Sequence, residues 1–130
     1  MSTQISPDKI SSAVRNYFLA IRAMDADAFA NTFAEDGTTF DPVGTPGITG
    51  RAAIREFLQN ICKNFKSVGL TEDYVFVAGK GAAVKWTGQG ISAGGKEVKF
   101  EGVDVFEVND DGKIQTLRAY WNPAEMIAQL

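Results

Sequence analysis

Three side chains in this sequence, Tyr17, Asp41 and Asp104, combine residue types and settings that could carry chemistry. The stretch "KFEGVDVFEV", residues 99–108, alternates as a strand does. Val98, Phe100, Gly102, Asp104, Phe106 and Val108 therefore share one side, and Lys99, Glu101, Val103, Val105 and Glu107 the other. A carboxylate pointing with aromatic rings is costly unless it is paired, and no cation shares its face nearby. Either that sheet edge is wet, or the acid is neutral, as burial makes it by raising its pKa. Tyr17 lies on the apolar stripe of the first helical segment, and Asp41 ends a short β segment just before Pro42. A neutral acid and a tyrosine hydroxyl are both hydrogen-bond donors, and two donors in an apolar pocket make an oxyanion hole. An ionised aspartate beside them could shuttle a proton, and the combination describes enolisation of a carbonyl compound. Each residue also has a plainer reading. Tyr17 could be a core aromatic with a backbone partner, Asp41 the start of an Asp-Pro turn, and Asp104 a perturbed acid that is only structural.

Composition narrows the alternatives. The chain contains no histidine. That removes Ser-His and Cys-His triads, histidine zinc sites and any histidine general base. Proton chemistry here must use carboxylates, tyrosines or lysines. With 13 Lys and Arg against 16 Asp and Glu, and no basic run interleaved with aromatics, nothing marks a nucleic-acid surface. The apolar runs are short, which predicts neither a signal peptide nor a membrane span. Cys62 is alone, so no intramolecular disulfide can form, and its helical setting predicts a core thiol in a reducing, cytoplasmic compartment.

The elements that must position these groups follow from periodicity. The 130 residues suit one domain with a single core. "SPDKISSAVRNYFLAIRAM" reads as a helix capped by Ser6, with Pro7 and Asp8 in its first turn and Ile10, Val14, Tyr17, Phe18 and Ile21 on one stripe. "DADAFANTFAEDG" reads as a second helix, capped by Asp25 or Asp27, burying Phe29 and Phe33 and closing near Gly37. "TTFDPVG" is a short β segment halted by Pro42 and Gly44, and "GTPGITG" a loop. "RAAIREFLQNICKNFK" is an amphipathic helix with Thr49 as its cap. Beyond residue 70 the period becomes that of strands: "EDYVFVAG", "AAVKWTGQGIS", "EVKFEGVDVFEV" and "KIQTLRAYW", joined by glycine-rich turns that imply antiparallel neighbours. The expected fold is α+β, three N-terminal helices on one face of a curved, mostly antiparallel sheet that encloses a pocket.

The same stretches resemble a family. "RNYFLAI", "FAEDGTTFDPVG", "GRAAIREFL" and "VDVFEVNDDGKIQTLRAYW" are similar to the corresponding segments of the Δ5-3-ketosteroid isomerases, within the NTF2-like/SnoaL-like superfamily, over about residues 10–122. The resemblance implies an NTF2-like cone spanning residues 1–130, and Asp41 as the base that moves a proton next to a ketone to a carbon two bonds along. It implies Tyr17 and Asp104 as the donors that hold the dienolate oxygen, a design in which one acid is kept neutral to donate. Trp121 falls where some of these isomerases place a pocket tryptophan, and Val84, Trp86, Phe100, Phe106 and Leu58 are expected to contact the substrate. Three positions depart from the pattern. Leu58 stands where a second tyrosine commonly buttresses the first, Phe33 removes a hydroxyl, and Phe40 precedes Asp41 where a glutamate is usual.

The implied partner is a small apolar carbonyl-containing ligand, with no cofactor, metal, nucleic acid or membrane. The resemblance also implies a homodimer through the open sheet face, to which Val103, Val105 and Tyr120 would contribute. A SnoaL-like polyketide cyclase, another pocket enzyme and a non-catalytic carrier of hydrophobic ligands share the same framework. An Asp-Arg-Asp arrangement of the epoxide-hydrolase kind would need Arg118, which alternation groups with Ile114, Thr116 and Tyr120, opposite Leu117 and Trp121.

Overall fold

The computed structural model describes residues 5–130. Helix α1 spans Pro7–Arg22, and Ser6 caps it by accepting the Asp8 N–H at 3.1 Å. The short α2, Ala26–Asn31, is capped by Asp25, whose carboxylate accepts the Ala28 N–H at 3.0 Å. It ends well before the residue expected, because Phe33–Phe40 already forms strand β1. "FAEDGTTF" has too few helix formers facing the core to extend α2, while its Phe33, Gly37 and Thr39 fit the buried face of a strand. The loop after it contains a two-residue strand β2, Ile48–Thr49, paired with β1. Helix α3, Arg51–Cys62, is not capped by Thr49. That hydroxyl meets Thr38 across the β1–β2 pair at 2.9 Å, and Gly50 takes the cap position at φ 92°, a conformation open to glycine. Cys62 is half-buried at the end of α3, so it is not the core thiol expected.

The remaining strands are β3 (Phe65–Ala78), β4 (Gly81–Ser92), β5 (Glu97–Val108) and β6 (Ile114–Trp121), and a last turn of helix, α4, covers Pro123–Ile127. The sheet order is β2-β1-β6-β5-β4-β3, antiparallel throughout except where β1 runs parallel to β6. Strand β3 starts at Phe65 rather than at Glu72, because Phe65–Thr71 pairs with Thr87–Ser92 despite its mixed polarity. One irregularity in the β5–β6 register explains Ile114. Val108 faces Ile114 while Glu107 faces Thr116, so Gln115 is extra. The bulge turns Ile114 into the core alongside Leu117 and Ala119, rather than leaving it outward with Arg118 and Tyr120.

The helices cover one face of this sheet. Ile10, Val14 and Phe18 of α1 meet Val84, Phe106 and Leu117, while Val103, Val105 and Tyr120 remain exposed on the opposite face. At the end of the sheet away from α1, α4 is drawn back onto β5. The Gln129 side-chain amide accepts the Lys99 N–H at 2.8 Å and donates to the Lys99 carbonyl at 2.6 Å, occupying ladder positions that β6 no longer reaches.

Gly102 is the place where two large rings come together. A Cβ there would lie 2.5 Å from Trp86 Cζ2 and 2.7 Å from both Trp121 Cβ and the Tyr120 carbonyl oxygen. Gly102→Ala should therefore force both indoles outward and cost about 1–3 kcal/mol, as overpacking of a filled core does. Urea denaturation reads this directly, and an unchanged midpoint would show that the rings have room to spare.

Candidate functional site

Between the helices and the inner sheet face lies a cavity of about 390 Å³. Its walls divide by chemistry. Phe57, Leu58 and Ile61 of α3 form one side, with Phe65, Val68 and Leu70 of β3 opposite. Pro123, Met126, Ile127 and Leu130 close the far end. Polar atoms concentrate elsewhere, on Tyr17, Asp41 and Asp104, with the indoles of Trp86 and Trp121 beside them. Asn64 adds a polar side chain at the α3–β3 turn.

Tyr17 comes from the middle of α1, where helical spacing turns it inward. Its ring is gripped by Phe18, Phe29 and Phe106 at centroid distances of 5.1, 5.2 and 5.2 Å. The hydroxyl has no hydrogen-bond partner among the described residues, so it is aimed by ring packing rather than by a polar tether. Burial raises its pKa well above 10, and the nearby charges of Asp104 and then Asp41 push in the same direction. Tyr17 therefore stays protonated and keeps a hydrogen that it can donate.

Asp41 follows the last residue of β1, and its peptide bond to Pro42 is cis. Trp121, the last residue of the neighbouring β6, donates its Nε1–H to Asp41 Oδ1 at 2.7 Å. Parallel pairing of β1 with β6 brings these two strand ends together. Burial lifts the Asp41 carboxyl to about 6, and the indole hydrogen bond works against that rise.

Asp104 sits in mid-β5, opposite Val84 on one side and Ala119 on the other. It is 1 % exposed, and neither carboxyl oxygen has a hydrogen-bond partner among the described residues. Burial holds its pKa well above 3.8, and the charge of Asp41 adds to this. The indole of Trp86 is close enough to favour the charged form, although it is not aligned into a formed hydrogen bond. Burial thus favours the neutral form of Asp104, whose carboxyl sits in the cavity wall.

Of the side chains expected to contact a substrate, Trp121, Phe100, Trp86 and Leu58 line the cavity. Val84 and Phe106 do not. Both are completely buried in the layer behind it, where Phe106 packs on Tyr17 and Phe18 and Val84 joins the α1 core. Arg118 is exposed with its guanidinium over Phe40 at 5.6 Å, and it forms an ion pair with neither aspartate among the described residues. Among the described residues no three His, Cys, Asp or Glu side chains gather as metal ligands would. Sequence reasoning missed the wall supplied by α4. Its signal was present in "NPAEM", where Asn122 caps by accepting the Ala124 N–H at 3.1 Å and Pro123 takes the first turn.

The protonation of Asp104 has a consequence for stability. The folded protein keeps a proton that the unfolded chain releases above about pH 4, so stability falls as pH rises from there toward the raised folded value. Asp104→Asn preserves the shape without that proton. It should be more stable than the parent chain at about pH 7–8, with the gap closing toward about pH 4. Urea midpoints across pH test this, and an Asn variant less stable at every pH would mean that the acid is not held neutral.

The family described as SnoaL-like domain matches residues 14–117. A steroid Δ-isomerase of Nocardioides simplex is 33% identical over 119 residues, covering 92% of this chain and 94% of that protein. Among solved structures, a candidate polyketide cyclase from Xanthomonas campestris pv. campestris superposes with a TM-score of 0.84 at 27% identity, covering 95% and 98% of the two chains. SalBIII, an epoxide hydrolase/cyclase-like enzyme in pyran ring formation in the polyether salinomycin, gives a TM-score of 0.80 at 29% identity, over 91% and 94%. The chain belongs to the SnoaL-like family, as a ketosteroid isomerase-like member of the NTF2-like superfamily.

Proposed function

We propose that this protein is an isomerase that moves a proton within an unsaturated ketone through a dienolate. The observation that carries this reading is the division of protonation between two carboxyls in one cavity. Asp41 is poised at about 6, ready to accept a proton near neutrality, while burial holds Asp104 protonated. Asp41 would take the proton from the carbon between the carbonyl and the double bond and return it to the far alkene carbon. Negative charge developing on the ketone oxygen would be met by the Tyr17 hydroxyl and the Asp104 acid. The apolar walls contributed by α3, β3 and α4 suit a fused-ring hydrocarbon body such as a steroid, with its one reacting oxygen at the polar end. The likeness to a steroid Δ-isomerase supports the same choice.

A second reading has its own support. A neutral acid and a nearby base can equally protonate one oxygen while deprotonating another, which is the requirement for closing an ether ring. The likeness to SalBIII favours that use of the pair. A ligand carrier would need neither protonation state.

The outer sheet face enters as a separate proposal. Tyr74, Phe76, Val103, Val105 and Tyr120 are exposed there, and we take this face to be the contact of a homodimer. Sedimentation should give a dimer that Val105→Glu converts to a monomer with unchanged helix content. A monomeric parent chain would refute this contact.

A β,γ-unsaturated ketosteroid, followed by the absorbance of its conjugated product, tests the isomerase reading. Asp41→Asn should lower kcat by roughly 10²–10⁴-fold. In the parent chain kcat/KM should rise through about pH 6 as Asp41 ionises, and fall again at the higher pH where Asp104 gives up its proton. Steroid binding without turnover, indifferent to Asp41→Asn, would leave the carrier reading in its place.

A further inference from the structure

We propose that the indole N–H of Trp86 positions the Asp104 carboxyl, holding one oxygen so that the other meets the ligand with its proton. This rests on the reading of Asp104 as a donor, and adds a residue that sets how the acid is presented.

Three buried polar atoms at the site have no partner among the described residues, namely Trp86 Nε1 and the two oxygens of Asp104. Trp86 is 2 % exposed, so its donor has no water to turn to, and an unmade bond in such a place costs as much as a lost one. The register puts the complementary groups side by side. Trp86 pairs with Gly102 across the β4–β5 ladder, and Asp104 is the next inward residue along β5, the diagonal position that a long side chain can reach. The absence of a side chain at Gly102 lets the indole lie over β5, with Trp86 Cζ2 above that glycine. The other indole is already committed, since Trp121 donates to Asp41. A small rotation of the Asp104 carboxyl therefore gives each aspartate its own indole.

This arrangement matters because a carboxylic acid has two unlike oxygens. If the N–H occupies the carbonyl oxygen, the hydroxyl is left as the one that faces the cavity, and the donor is ordered before a ligand arrives. The titratable groups facing Asp104 are Tyr17 from α1 and Asp41 beyond β1. From the neighbouring strands it faces Val84, Trp86 and Ala119, none of which titrates.

Trp86→Phe keeps a ring and removes the donor. The probe is 2-naphthol, an apolar phenol whose oxygen can occupy an oxyanion site, titrated by its fluorescence over a range of pH. Loss of the N–H should weaken binding about tenfold, and should move the alkaline loss of binding to higher pH because the ionised acid has lost a donor. Unchanged affinity, or weaker binding with an unmoved alkaline limb, would overturn the proposal, since a packing contact predicts only the latter. A second measurement needs no ligand. The chain has two tryptophans and so gives two indole N–H resonances, which Trp86→Phe assigns. Asp104→Asn should shift the Trp86 resonance and leave that of Trp121 in place, whereas a Trp86 resonance indifferent to Asp104→Asn overturns the proposal. Should both results hold while no ketosteroid is turned over, the isomerase reading fails and the Trp86–Asp104 contact stands.

Discussion

Two carboxyls cannot both be ionised in one small apolar cavity, and the rest of this site is organised around that constraint. Apolar side chains of α3, β3 and the α4 segment line the cavity, and the desolvation that lifts Asp41 only part of the way lifts Asp104 further. The difference comes from what touches each one. Asp41 has a formed indole hydrogen bond and stands at a strand end, whereas Asp104 stands in mid-strand with both oxygens unmet. A strong environment applied unequally separates the proton affinities of two identical side chains. It also loads the fold, because an acid held protonated where the unfolded chain would release the proton lowers stability at neutral pH.

Aromatic packing sets the place of the Tyr17 ring. With Leu58 where the resemblance implied a second tyrosine, and Phe33 without a hydroxyl, no hydrogen bond among the described residues aims the Tyr17 phenol. Four rings do so instead, Phe18, Phe29, Phe33 and Phe106, and three of the four contacts are edge-on. Such packing fixes where the ring lies and leaves the hydroxyl free to rotate toward its ligand. Trp121 gives Asp41 its polar partner, so indole and phenyl groups hold both residues in place.

The inward set of β5 was legible because strand alternation is rigid over "KFEGVDVFEV", and the stripe of α1 because helical spacing leaves Tyr17 no outward option. What escaped was set by long-range pairing. Nothing local in "FAEDG" shows that it will join β6 in parallel, so α2 was read too long. The Gln115 bulge exists only in the β5–β6 pair, and it alone decides that Ile114 is inside. Val84 and Phe106 show the limit of alternation itself. It tells which face a residue is on, but not whether that face is bordered there by a cavity or by a helix. The wall from α4 went unread because five helical residues carry too little periodicity to register.

The hydrogen bond between Asp41 and Trp121 joins residues 80 positions apart in the chain. No fragment ending before β6 can contain it, and a register slip by one residue in that strand would turn the indole to the far side of the sheet. A chain with this topology must bring β1 and β6 together across most of its length before Asp41 acquires its indole partner, so the polarity of that carboxyl belongs to the assembled sheet and to no local segment of it.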